Sequence, residues 1–215
     1  VGMLGVRENR GWITRVGLTP ASRGHHIGQF LMETLLQSAA DRGIQHMQLE
    51  VIVGNDPAHR LFQKLGFEDY RDLSIIRRPP GPLDDDARYD DAHVTPLRYS
   101  ELPYYLEQRL PGASWLEETA SLLNMRNLSG IKLDMRDGQY GWVIYQQMPL
   151  QLAHFVFRPD IPPAVAAALL YHVHRTHRMQ DTKIENLVKD DPIWPVFPQF
   201  GYLEAFHRIE MRMDL

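Results

Sequence analysis

The chain has 215 residues and a mass of 24.9 kDa, and 44% of its residues are hydrophobic, enough for the packed core of one large domain or two small ones. No apolar run approaches the roughly 20 residues a membrane span needs, and no basic stretch leads into a hydrophobic signal core, so a soluble, cytoplasmic protein is expected. The absence of Cys excludes disulfides, a thiol nucleophile and thiolate metal sites, while a net charge of -4 gives no global basic field for nucleic acid.

The chain opens on Val1, not Met, and directly on an apolar β-rich run, so its natural N-terminus is expected to be missing. Val1 to Arg7 and Trp12 to Leu18 are split by the polar Glu8-Asn9-Arg10-Gly11, which predicts antiparallel strands joined by a hairpin. Ile27, Leu31, Leu35 and Ala39 then recur at intervals of four, the mark of an amphipathic helix that Gly43 is placed to end. Met47 to Val53 reads as a strand, Pro57 suits the first turn of a short helix capped by Asn55 or Asp56, and Gly66 closes that helix. Tyr70 to Ile76 supplies a last strand. Arg77 to Asp91, Pro-rich and then acidic, reads as a solvated linker centred on residues 79–92.

Beyond the linker the order of elements recurs: Trp142 to Gln146, Leu152 to Phe157, a helix from Ala164 to His177, a strand from Lys183 to Val188, and Tyr202 to Leu215. Residues 45–67 laid over residues 180–202, an offset of 135, give seven identities in 23 positions, among them Asp56-Pro57 with Asp191-Pro192 and Gly66 with Gly201. Two copies of one unit explain this economically. The second copy has more in front: a strand from His93 to Leu97, helical stretches around Tyr104 to Leu110 and Trp115 to Asn124, and a strand from Ile131 to Met135. The first copy lacks this leading half. The expected division is therefore 1–78, a linker 79–92, and 93–215.

The loop from Thr19 to Gly28 leads from a strand into a helix, so free backbone N–H groups and the positive helix end converge there, with Arg23 able to add a charge-assisted contact. Alone this is a weak anion-site signal. Taken together, Leu18-x-Pro20-x-x-Arg23-Gly24-x-x-Ile27-Gly28, a helix, Leu49-Glu50-Val51, and Asn55-x-x-Ala58-x-x-Leu61-Phe62-x-Lys64-Leu65-Gly66-Phe67 resemble the acetyl-CoA-binding core of the GNAT acyltransferase superfamily. The resemblance covers residues 1–78 directly and, through the repeat, 93–215 more weakly. It implies an α/β fold of tandem GNAT-like units, with mixed, mostly antiparallel sheets flanked by helices. It also implies that Arg23, Gly24, His25, His26, Ile27 and Gly28 wrap the coenzyme pyrophosphate, that Asn55 faces the pantetheine arm with Ala58 and Phe62 near the thioester, and that the Leu18 main-chain N–H polarises the thioester carbonyl.

Two residues depart from the family pattern. His26 stands where the loop usually has its middle Gly; ordinary helical angles would leave the amide able to donate, whereas a requirement for positive φ would weaken binding. Phe62 stands where active members commonly carry a Tyr, and without a hydroxyl it cannot act as an acid. Glu50, in the strand beside the presumed thioester, is the candidate base, against its reading as an ordinary strand carboxylate. In the second copy the corresponding loop is Asp160-Ile161-Pro162-Pro163, short of N–H donors and carrying a negative charge, so this half reads as degenerate.

His172, His174 and His177 lack the spacing of a metal site and are expected on a solvated helix; no metal is implied. The activity implied is N-acetyl transfer from acetyl-CoA to an amine of a small molecule or peptide, the alternative being a non-catalytic acyl-CoA-binding or scaffold protein. The acceptor is left open. So is the oligomeric state, with a homodimer among the arrangements that would cover an unfinished sheet edge.

Overall fold

The computed structural model describes residues 1–22, 25–189 and 191–215. In chain order the elements are β1 (Met3–Arg7), β2 (Arg10–Thr14), α1 (Ile27–Ala40), β3 (His46–Ile52), α2 (Asp56–Lys64), β4 (Glu68–Arg78), β5 (His93–Pro96), α3 (Leu102–Leu106), α4 (Thr119–Leu123), β6 (Leu128–Asp134), β7 (Tyr140–Gln147), β8 (Gln151–Phe157), α5 (Pro163–Thr176), β9 (Asp181–Val188) and β10 (Leu203–Asp214). The mixed, mostly antiparallel sheet flanked by helices is the expected fold class. No helix among the described residues is long and apolar enough to cross a membrane.

Two compact units are present, residues 1–73 with 206–215, and residues 74–205. In the first, β1 and β2 form the expected hairpin, with Leu4 opposite Ile13. α1 crosses over and returns the chain to β3, which pairs parallel with β2, as a helical crossover permits. On the other side of β3 lies β10, antiparallel, from Arg208 opposite Ile52 to Asp214 opposite His46. This strand comes from the far end of the chain. The division at 93–215 placed it with the second copy; the contacts place Phe206–Leu215 with the first.

Met32 and Ala39 on α1, Met47, Leu49 and Val51 on β3, Phe62 on α2, Phe67 and Met211 make one buried cluster. Each large member contributes about 1.5–3 kcal/mol through burial. The helix stops are local: Gly43 (φ 72) and Gly66 (φ 99) follow α1 and α2 in the left-handed region, where a Cβ is unfavourable. Glu210 on β10 is fully buried, and it is matched from both sides: Arg71 Nη2 lies 2.7 Å from Oε2 and Arg212 Nη2 2.6 Å from Oε1.

The second unit runs β5, β6, β7 and β8 as antiparallel neighbours, then β9 parallel to β8 across the α5 crossover. α5 is buried on nearly every side, with Val165, Ala168, Leu169 and Leu170 fully inaccessible. Its histidines are correspondingly not solvated. His174 is fully buried, with Nε2 2.9 Å from Tyr202 Oη; His177 Nε2 lies 3.0 Å from Tyr145 Oη, and His172 Nε2 lies 3.1 Å from the Tyr89 carbonyl. Burial first, then the Arg78 and His177 charges, push His174 down to about 3, so it is neutral.

Residues 79–92 also differ from a solvated spacer. The Tyr89 ring lies tilted against the Tyr171 ring of α5, centroids 4.7 Å apart, Asp86 N donates to Tyr171 Oη at 3.0 Å, and Gly81 N donates to the Arg178 carbonyl at 2.8 Å. An acidic, Pro-rich composition favours exposure, but one large aromatic side chain is enough to dock the segment.

Candidate active site

In the first unit the parallel strands β2 and β3 pair from Arg10 with His46 to Ile13 with Leu49. Glu50 is the next residue on β3, and the chain beyond β2 heads through Leu18 to the start of α1. A break between parallel strands at their C-terminal ends, with helices following both, forms the crevice in which α/β sheets hold ligands. The half-buried Glu50 stands at the start of that break. Trp12, on the neighbouring strand, donates from Nε1 to Glu50 Oε2 at 3.1 Å.

The chain from β2 to α1 is tightly folded. Pro20–Ser22 form a 3-10 turn, with Ser22 N donating to the Thr19 carbonyl at 2.9 Å and the Thr19 and Ser22 hydroxyls 2.8 Å apart. Arg23 and Gly24 lie outside the described residues. His25, His26 and Ile27 are exposed at the start of α1. His26 is the N-cap of α1 at φ 59, ψ 6, a left-handed conformation, and its carbonyl accepts from Phe30 N at 3.0 Å. The position is therefore of the type that favours Gly, and His carries a Cβ there.

Gly28 explains how the helix start is set. A Cβ at this position would stand 3.3 Å from Leu18 Cδ1 and 3.4 Å from Leu61 Cδ2. The bare Cα thus lets the end of the β2 segment, the first turn of α1 and the middle of α2 meet. Of the predicted residues, this brings Leu18 and Gly28 together, with α2 as the third wall.

Asn55 caps α2 with its backbone, its carbonyl accepting from Ala58 N at 3.1 Å and His59 N at 3.0 Å, while its side chain makes no capping bond. The exposed Asn55 side chain is therefore available to a ligand; Ala58 is half-buried against the core. Phe62 is 6% exposed and meets Phe67 edge-on at 6.3 Å, so its ring is a core element of this unit. Sequence reasoning missed Trp12 and the Glu210 cluster. Glu210 lies directly opposite Glu50 on β10. The alternation Trp12-x-Thr14 marks a strand, but only the register reveals which carboxylate the indole reaches.

In the second unit Glu185, the repeat counterpart of Glu50, is paired with Lys183 at 2.5 Å. Pro162 and Pro163 open α5, and Asp160 sits before them at φ 52. The missing N–H donors and the carboxylate leave this loop without the anion-binding character of a helix start.

Residues 1–67 match the family model described as Acetyltransferase (GNAT) family. A stretch of 52 residues, 24% of this chain, is 44% identical to a mycothiol acetyltransferase of Catenulispora acidiphila and spans 17% of that protein. Among solved structures, a GCN5-related N-acetyltransferase from Sphaerobacter thermophilus superposes with a TM-score of 0.71 at 15% identity, covering 99% of this chain and 76% of that one. A tandem GNAT protein from the clavulanic acid biosynthesis pathway gives a TM-score of 0.63 at 12% identity, covering 100% of this chain and 79% of that one. At such identities the structural likeness establishes the fold.

Proposed function

We propose that this chain, whose residues 1–67 match the GNAT acetyltransferase family model, transfers an acetyl group from acetyl-CoA to an amine of a small molecule or peptide, with the coenzyme held by the first unit. The observation that carries this reading is the parting of β2 and β3 beyond Ile13 and Leu49, with Glu50 at the parting and the Gly28 helix start behind it. The chain belongs on this reading to a tandem arrangement, with residues 74–205 a degenerate second copy.

The chemistry asks little of the protein beyond placement and charge. A neutral amine attacks the thioester carbonyl, the C–S bond breaks, the coenzyme leaves as thiolate, and the amide nitrogen sheds a proton. Glu50 takes the acceptor's proton, directly or through water. The Leu18 main-chain N–H stabilises the oxyanion, and the first-turn amides of α1, with Arg23, hold the diphosphate. Phe62 supplies no proton, so the thiolate is protonated from solvent.

A discontinuous thiol-release assay across an amine panel tests this reading. Release that depends on the amine and falls with Glu50→Gln supports it; none with any acceptor overturns transfer. The buried Phe62 ring, and the absence of a hydroxyl in its place, favours one second reading, an acyl-CoA binder without turnover. In that case acetyl-CoA binds and no thiol is released.

A further inference from the structure

Within the second unit, β8 and β9 pair parallel only from Gln151 with Asp181 to Ala153 with Lys183. His154, the next residue on β8, takes φ 54, and Asn186 on β9 takes φ 58. Both strands are thus distorted where pairing ends, as β-bulges do. The gap holds a cavity of about 340 Å³. Val156, Ile184 and Phe197 give it apolar walls, a size and character suited to a small organic ligand.

Its charges favour one class of ligand. Glu117, Asp160, Glu185 and Asp191 line the cavity with two cations, Arg109 and Arg158. Both cations are already engaged, and so is one of the carboxylates: the Arg158 guanidinium lies 4.1 Å from the Tyr140 ring centroid and donates to the Tyr140 carbonyl at 2.9 Å, Arg109 donates to the main-chain carbonyl of Glu117 itself, and Glu185 is paired with Lys183. Glu117 is 8% exposed; Oε1 lies 2.8 Å from His154 Nδ1, and the buried Oε2 has no hydrogen-bond partner. A buried carboxylate oxygen left in this state is costly and wants a donor. An anion in the cavity would also meet the Asp160 carboxylate and Pro159, which has no N–H to donate.

We propose that this cavity is a second ligand site, distinct in chemistry from the first unit's cleft, that takes a small molecule with a protonated amine on an apolar body and does not take coenzyme A. The site stands whether or not the first unit transfers acetyl groups. Calorimetric titration of the full chain at pH 7 with 2-phenylethylammonium, beside 3-phenylpropionate of similar size and opposite charge, tests it.

One amine per chain binds with a dissociation constant of about 1 mM, as suits so small a probe. Glu117→Gln weakens it about tenfold and Asp160→Asn about twofold, while saturating coenzyme A, which has no acetyl group to transfer to the probe, leaves it unchanged. Asp160 is exposed at positive φ, where Asn is well tolerated, so that variant folds even if the Glu117 variant does not. The proposal is overturned by no binding, by binding insensitive to both substitutions, by equal or tighter binding of the carboxylate, or by displacement of the amine with coenzyme A.

Discussion

His26 offers a direct test of how the helix start is built, because its left-handed backbone can be separated from its imidazole. Replacing it with Gly or with Ala removes the same side-chain chemistry, and the two variants differ only in the Cβ. At φ 59, ψ 6 that Cβ costs about 1–2 kcal/mol in the folded state. Gly returns part of the gain, about 0.4–1 kcal/mol, through the greater freedom of the unfolded chain. The expected difference is thus about 1 kcal/mol in favour of His26→Gly. Urea titrations followed by circular dichroism read it as a higher midpoint at unchanged slope. The exposed imidazole makes no capping bond, so nothing of that kind is lost in either variant. His26→Gly also binds acetyl-CoA more tightly than the parent, because a bare Cα lets the diphosphate approach the main chain. Equal midpoints, or Ala above Gly, would refute the left-handed assignment and the reasoning built on it.

Three other outcomes follow from named contacts. Glu50→Gln lowers kcat by about 10²-fold, the lower end of what a positioned base supplies, with little change in the dissociation constant of acetyl-CoA; steady-state kinetics beside calorimetry separate the two. Glu210→Gln leaves Arg71 and Arg212 facing each other without their shared carboxylate and destabilises the chain by about 2 kcal/mol, below the range for a fully buried pair because the Arg212 side chain is exposed; a loss under about 0.5 kcal/mol in urea denaturation contradicts this. His174, held down to about 3 by burial, takes up its proton more readily in the unfolded chain, so stability falls as pH drops from about 6.5 toward 3. Urea midpoints measured across that range decline for the parent and decline less for His174→Gln.

What the sequence revealed and what it hid divide along physical lines. The spacing of Ile27, Leu31 and Leu35 and the stops at Gly43 and Gly66 are local, and they located α1 and α2 within a residue or two. The helix starts after β2 and β3 could be anticipated because their punctuation, Pro20 through Gly28 and Asn55 to Pro57, is local as well. Pairing between distant segments was not. The repeat assigned Tyr202 to Leu215 to the second copy, yet Met211 enters the first unit's core beside Leu49. His174 was read as solvated because one helix face alone does not reveal that α5 is covered all round. His26 lies between these cases: the sequence poses the choice of backbone angles, and the fold settles it in the left-handed region at φ 59.

The central claim is that a single coenzyme binds, in the first unit. Calorimetric titration of the full chain with acetyl-CoA, alongside Arg23→Ala, measures it most directly. The account predicts one acetyl-CoA per chain, weakened at least tenfold by the substitution as a charge-assisted phosphate contact is lost. Absence of binding, two equivalents per chain, or an affinity indifferent to Arg23 would contradict it.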